Sequence, residues 1–286
     1  MQMKIHKAWS SHRTKSRIDI WMVSLDTSLA SLPPDYLDMV GKREREKFAR
    51  FRREADRRRY LVSHVLLRLA LSAASAEPVD PRRWQFNVAE KGGPSVAAAA
   101  GLPLLHFSLS HSKRLAAVAV SSSFSVGVDV EFLDANSDTV PADLVLAAGE
   151  HQWLRSRPAA TRWLDFVRLW TVKEAYAKLL GEGVYLDFAS FEVAMDPLRL
   201  VRSETGKKHS SDLHLLTREV RVPDGSYQLS LAARSLSRGD PQVALHVLDR
   251  SLNRPRMGSS GTLRRPFLTV KRNSMEAVPY FDYRSI

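Results

Sequence analysis

The chain has 286 residues, 44% of them hydrophobic, enough to bury one large core or two modest ones without covalent staples. It contains no cysteine, which excludes disulfides, thiolate metal sites and cysteine nucleophiles, and it has no run of eighteen apolar residues, so no membrane-spanning helix is expected. The formal net charge of +12 attracts phosphates, nucleic acids or acidic protein surfaces, and composition does not choose among them.

Residues 1–17 carry five Lys/Arg and no acid, and read as a basic lead-in to a first strand, Ile18 to Leu25. Pro33 and Pro34 then turn the chain toward helix. From about Lys42 to Ser75 there is no Pro or Gly, and Leu61, Val62, Val65, Leu66, Leu69 and Ala73 recur at helical spacing. This predicts one long helix whose first half is dominated by arginine and lysine. Pro78 and Pro81 end it, and short strands are expected at "RRWQFNV", "LHFSLSHS" and "RLAAVAVSS", with the turn "EKGGPS" after the first.

The segment "VGVDVEFLD" reads as the next strand. Helices follow at "ADLVLAAGEHQWLRS" and "RWLDFVRLWTVKEAYAKLLGEG", the second closed by Gly181 and Gly183, and then strands at "SFEVAMD", "YQLSLAARS" and "QVALHVLDR". The last stretch, 251–286, has seven Lys/Arg against two acids and little periodicity, which predicts a flexible basic tail. The order divides the chain into an N-terminal lobe, 18–122, and a C-terminal lobe, 123–250, with a coarse internal symmetry and an α+β composition.

Two features carry chemistry. On the strand, Val126, Val128 and Val130 alternate toward a core, so Asp129 and Glu131 project together from the opposite face, where like charges repel unless a cation meets them. On the helix, Trp170, Glu174 and Lys178 fall at i, i+4 and i+8 and share a face; taken alone, Glu174 and Lys178 form an ordinary intrahelical ion pair. Together, Asp129, Glu131 and Glu174 offer three oxygen ligands from two rigid elements. That is a site for a hard cation, and magnesium held by a few carboxylates also grips phosphate-bearing ligands.

The pattern Val126-Gly127-Val128-Asp129-Val130-Glu131, followed by Trp170-Thr171-Val172-Lys173-Glu174-Ala175-Tyr176-Ala177-Lys178, resembles the paired signature of the 4'-phosphopantetheinyl transferases. Phe107 to Ser112 is similar to the family's upstream motif, and "EKFARFRREADRRRYLVSHVLLR" to its N-terminal helix, so the resemblance spans roughly 18–250. The layout is similar to the pseudo-dimeric, monomeric surfactin-synthetase-activating type. The resemblance implies two similar α/β lobes related by a pseudo-two-fold, with the active site at their interface. It also implies magnesium-dependent transfer of the phosphopantetheine arm of coenzyme A to a serine of an apo acyl or peptidyl carrier protein, releasing adenosine 3',5'-bisphosphate.

The family's roles then fall on these positions. Asp129, Glu131 and Glu174 would hold magnesium, with Glu174 also the general base and Lys178 the neutralising cation on the pyrophosphate. Coenzyme A would be bound by Lys47, Arg59, Lys91, Ser110, His111 and Lys178, and Glu150 matches an acidic helix-start position. Where the family commonly reads Gly-Lys-Pro this chain reads Gly92-Gly93-Pro94, with Lys91 earlier. A cytoplasmic monomer with no membrane partner is implied. A non-catalytic, basic nucleic-acid-binding protein that retains the fold is the alternative reading.

Overall fold

The computed structural model describes residues 16–25, 29–87, 93–98, 101–134, 145–182, 185–205, 212–223, 225–236, 239–248 and, as backbone, 270–271. The first half runs β1 (Arg17–Ser24), α1 (Tyr36–Met39), α2 (Lys42–Arg50), α3 (Glu54–Ala74), β2 (Phe86–Asn87), β3 (Ser95–Val96), β4 (His106–Ser112) and β5 (Leu115–Ser121). The second runs β6 (Phe124–Phe132), α4 (Ala148–Ser156), α5 (Arg162–Leu180), β7 (Glu192–Met195), β8 (Leu198–Arg202), β9 (Leu213–Val222), β10 (Gly225–Ser235), β11 (Gln242–Leu248) and β12 (Val270–Lys271).

Strand β5 is apolar almost throughout because both of its faces are buried. Leu115, Ala117 and Ala119 meet Val126, Val128 and Val130 of β6 and Leu229 and Leu231 of β10, while Ala116, Val118 and Val120 meet Leu66, Leu67, Ala70 and Leu71 of α3. Alternation along one strand thus builds two cores. The result is four layers: α3, a five-stranded sheet in the order β12-β11-β1-β5-β4, a three-stranded sheet in the order β6-β10-β9, and α5. Helix α5 covers the outer face of the second sheet through Val172 and Ala175, which cluster with Ala232 and Leu213, and Thr171 Oγ1 lies 2.8 Å from Ser230 Oγ. No helix among the described residues is long and apolar enough to cross a membrane.

Three expectations change. The helix expected over 42–75 is broken: Phe51 and Arg53 are extended, with ψ of 132° and 134°, and Arg57 Nε donates to the freed Phe51 carbonyl at 2.8 Å. The cause is Glu44, whose carboxylate meets His64 Nδ1 at 2.7 Å and the buried Arg68 guanidinium. In an unbroken helix these residues would lie about 30 Å apart, so α2 must fold back along α3. Strands β8 and β9 were not expected; in β9, Leu215 and Leu216 are adjacent and break the alternation, Leu215 packing toward α5 and Leu216 toward the inter-sheet core. Finally, β11 pairs in parallel with β1, Arg17 opposite Gln242, so the end of the 123–250 segment completes the sheet of the 18–122 segment. His246 Nε2 seals that seam at 2.6 Å from Asp19 Oδ1 and stacks on Trp21. Of the 251–286 tail only Val270–Lys271 is described, paired with β11; the rest of it, and the lead-in before Ser16, lie outside the described residues.

Burial would raise the Glu44 carboxyl, but the His64 hydrogen bond, the Arg68 charge and the Gly41 N–H hold it down to about 2. A folded-state value below the ordinary 4.5 stabilises fully above that pH and is lost as pH falls toward 2. Glu44→Gln is expected to cost roughly 2 kcal/mol at neutral pH after allowance for solvent screening at this partly exposed site, and to flatten the acid limb of stability. Urea unfolding of both proteins at a series of pH values measures it; parallel curves would remove Glu44 from the account.

Candidate active site

Gly127 lets helix α5 lie directly on β6. A Cβ there would stand 2.0 Å from the Ala175 carbonyl oxygen and 2.5 Å from the Leu179 nitrogen, so only glycine permits this approach. The contact brings Glu174 and Lys178, each one residue from those backbone atoms, over Asp129 and Glu131. Lys178 Nζ lies 2.6 Å from Asp129 Oδ1 and 3.0 Å from Ser110 Oγ, and Ser110 Oγ donates to Asp129 Oδ1 at 2.7 Å. Ser112 Oγ donates to Glu131 Oε2 at 2.6 Å.

The cluster is short of positive charge. Burial, and then the Asp129 and Glu131 charges, push the Glu174 carboxyl up to about 7 against the pull of Lys178. Glu131 is also raised, by burial first and by Asp129, with Ser112 and Lys178 opposing. Asp129 is buried, and its Oδ2 has no hydrogen-bond partner. Among the described residues no three acids or histidines already stand as a metal cage; Lys178 holds the place beside Asp129 instead.

His111 points away from the three carboxylates, on the other face of β4. Its imidazole is held below the ordinary histidine value, by partial burial first and then by the charges of Arg59, Lys178 and His64. Arg59 also meets Asp56 at 3.3 Å. Lys47 joins this basic rim through Tyr60: its Nζ lies 5.4 Å from the Tyr60 ring centre, and Tyr60 packs on His64 at 4.1 Å. Lys91 lies outside the described residues. Trp170 sits against Phe188 at 4.9 Å and lines an apolar cleft of about 300 Å³ with Trp163, Phe166 and Val167, Glu131 at its edge.

Sequence reasoning found the carboxylates and Lys178 but missed Ser112 and the partner of Glu150. Glu150 starts α4, where its Oε2 accepts Ala147 N–H at 2.7 Å; its Oε1 accepts Val193 N–H at 2.8 Å. Both oxygens also receive Lys173 Nζ, at 2.7 and 2.5 Å, and the same ammonium donates to Phe191 O at 3.0 Å. The pair is fully buried. Burial pushes Glu150 up and Lys173 down, each opposed by the other's charge. Successive helix residues lie about 100° apart, so Lys173 enters the core while Glu174 faces the site.

Two family models match the chain, 4'-phosphopantetheinyl transferase superfamily over residues 125–232 and 4'-phosphopantetheinyl transferase, N-terminal, over 34–123. A 4'-phosphopantetheinyl transferase of Bacillus subtilis is 32% identical over 177 residues, 62% of this chain and 76% of the relative. The 4'-phosphopantetheinyl transferase HetI of Nostoc sp. is 30% identical over 66% of this chain and 78% of its own length. The 4'-phosphopantetheinyl transferase psf-1 of Bacillus pumilus is 31% identical over 73% and 82%.

Removing one partner of a buried, fully hydrogen-bonded ion pair strands the other charge. Lys173→Met is therefore expected to destabilise the fold by about 3–5 kcal/mol, and adding Glu150→Gln to recover part of that loss. Chemical denaturation of the two single variants and the double variant tests the coupling; additive losses would show that the pair is not a unit.

Proposed function

Since the chain belongs to the 4'-phosphopantetheinyl transferase superfamily, we infer that it moves the phosphopantetheine arm of coenzyme A onto a serine hydroxyl of an apo carrier protein. The observation that carries the mechanism is the seating of Glu174 and Lys178 over Asp129 and Glu131. The serine oxygen attacks the phosphorus that bears the arm. A new phosphorus–oxygen bond forms as the one to the bridging oxygen breaks, the serine loses its proton, and adenosine 3',5'-bisphosphate leaves.

Glu174, held near neutrality before any cation binds, is placed to take that proton, directly or through water. Lys178 is poised to leave Asp129 for a pyrophosphate oxygen. Arg59 and Lys47 offer positive charge to the remaining phosphate of the nucleotide, and His111, its imidazole held below the ordinary histidine value, offers a hydrogen bond; Ser110, on the carboxylate face beside Lys178, and Lys91 are assigned from the resemblance alone.

The donor set fits magnesium. All three acids present oxygen, Asp129 Oδ2 is buried without a partner, and two carboxyls are raised by burial and by the charge of their acidic neighbours. Asp129, Glu131 and Glu174 would hold the ion, which when bound would neutralise charge on the pyrophosphate. A nucleic-acid backbone gains nothing from three carboxylates in one place, which favours the enzyme over the binding module.

We also read the two sheets, each covered by one long helix, as lobes related by a pseudo-two-fold with the site where β4 meets β6. The four-layer packing supports this. The same reading makes the protein a monomer acting in the cytoplasm.

Incubation with coenzyme A, magnesium and an apo carrier protein is expected to add the mass of one phosphopantetheine arm to the carrier. No mass gain across fatty acid, polyketide and nonribosomal peptide carriers would overturn the assignment. Glu174→Gln is expected to keep its melting temperature and lose about 10²–10⁴-fold in kcat, and unchanged turnover would remove it from the reaction. Lys178→Ala should raise KM for coenzyme A; a slight stability loss at unchanged KM would mark it as a structural ion pair only.

A further inference from the structure

Ser108, Ser110 and Ser112 alternate along β4 and so share a face. Each hydroxyl oxygen accepts a backbone N–H of β6: Val128 at 3.0 Å, Val130 at 3.3 Å and Phe132 at 3.1 Å. Three side chains thus replace a backbone ladder between the edges of the two sheets. A hydroxyl that accepts still has its proton to give. Ser110 gives it to Asp129 and Ser112 to Glu131, but the β6 position matching Ser108 is Gly127, which has no side chain.

The backbone hook fixes each hydroxyl oxygen, and a fixed oxygen aims its proton. Glu131 needs this more than Asp129 does: its side chain is longer, it sits near the strand end and only half-buried, and Lys178 pairs with Asp129, not with it. We propose that Ser112 is a positioning residue for Glu131, holding Oε2 through the Phe132–Ser112 hook so that Oε1 is left as the free acceptor for a divalent cation. The inference rests on the magnesium reading above. Ser110 is less diagnostic, because it also bonds Lys178.

Ser108 supplies the control, since it has the same backbone hook and no carboxylate. Binding of Mn²⁺ to the full chain, with coenzyme A saturating, is followed by loss of the free-ion paramagnetic resonance signal. Ser108→Ala and Ser112→Ala are each expected to lower the melting temperature by a few degrees, about one hydrogen bond's worth. Only Ser112→Ala should weaken Mn²⁺ binding, by about tenfold or more, and Ser112→Thr should restore it. With Glu131→Gln already present, Ser112→Ala should cause no further weakening. Should Ser112→Ala fold poorly, Ser112→Cys keeps the volume with a poor donor and carries the same comparison.

Wild-type Mn²⁺ affinity in Ser112→Ala, or equal weakening in Ser108→Ala, overturns the proposal and leaves a purely structural hook. Absence of Mn²⁺ binding by the wild type instead overturns the magnesium reading, and this inference with it.

Discussion

The site depends on one close approach, the backbone of α5 lying on β6 where Gly127 offers no side chain. Any other residue would push the helix outward by more than an ångström, and Glu174 would no longer share a space with Asp129 and Glu131. That sharing is costly. Burial and mutual repulsion raise both Glu131 and Glu174, so the three acids can be held together only by elements that are anchored elsewhere.

The anchors are two, and they lie on opposite sides of the same contact. Behind α5, Lys173 fastens the helix to the start of α4 and to the backbone beside β7 through Glu150, Phe191 and Val193. Behind β6, the serine face of β4 fastens the acidic strand to the first sheet. Two lysines five residues apart on one helix therefore do opposite work. Lys173 is buried and fully satisfied, and so cannot reach a substrate; Lys178, partly exposed and balanced between Asp129 and Ser110, can exchange one anion for another.

Much of this was legible in the residues. The alternation of Val126, Val128 and Val130 placed the acids on one face, and the helical spacing of Glu174 and Lys178 placed them together, because both are local periodicities that tertiary packing did not override. The serine face was written as plainly, at 108, 110 and 112, but a run of hydroxyls carries no apolar signal and passes for an ordinary polar edge. Pairing of Glu150 with Lys173 was not legible, since nothing in a sequence says which acid a core lysine will find. Nor was the parallel return of β11 to β1, which joins residues more than two hundred positions apart.

The broken basic helix shows how a local misreading bears on the site. An uninterrupted helix over 42–75 would set Lys47 and Arg59 about 18 Å apart along one rod, too far to share a small ligand. No proline or glycine announces the break. It arises from a long-range ion pair, in which Glu44 gains His64 and Arg68 only by folding α2 back, and that reversal carries Lys47 onto the Tyr60 ring beside His64. The partly buried acid of the basic segment thus positions its cations: without Glu44 the positive charge of α2 would be a solvated face, and with it Lys47 is brought to the Tyr60 and His64 side of α3.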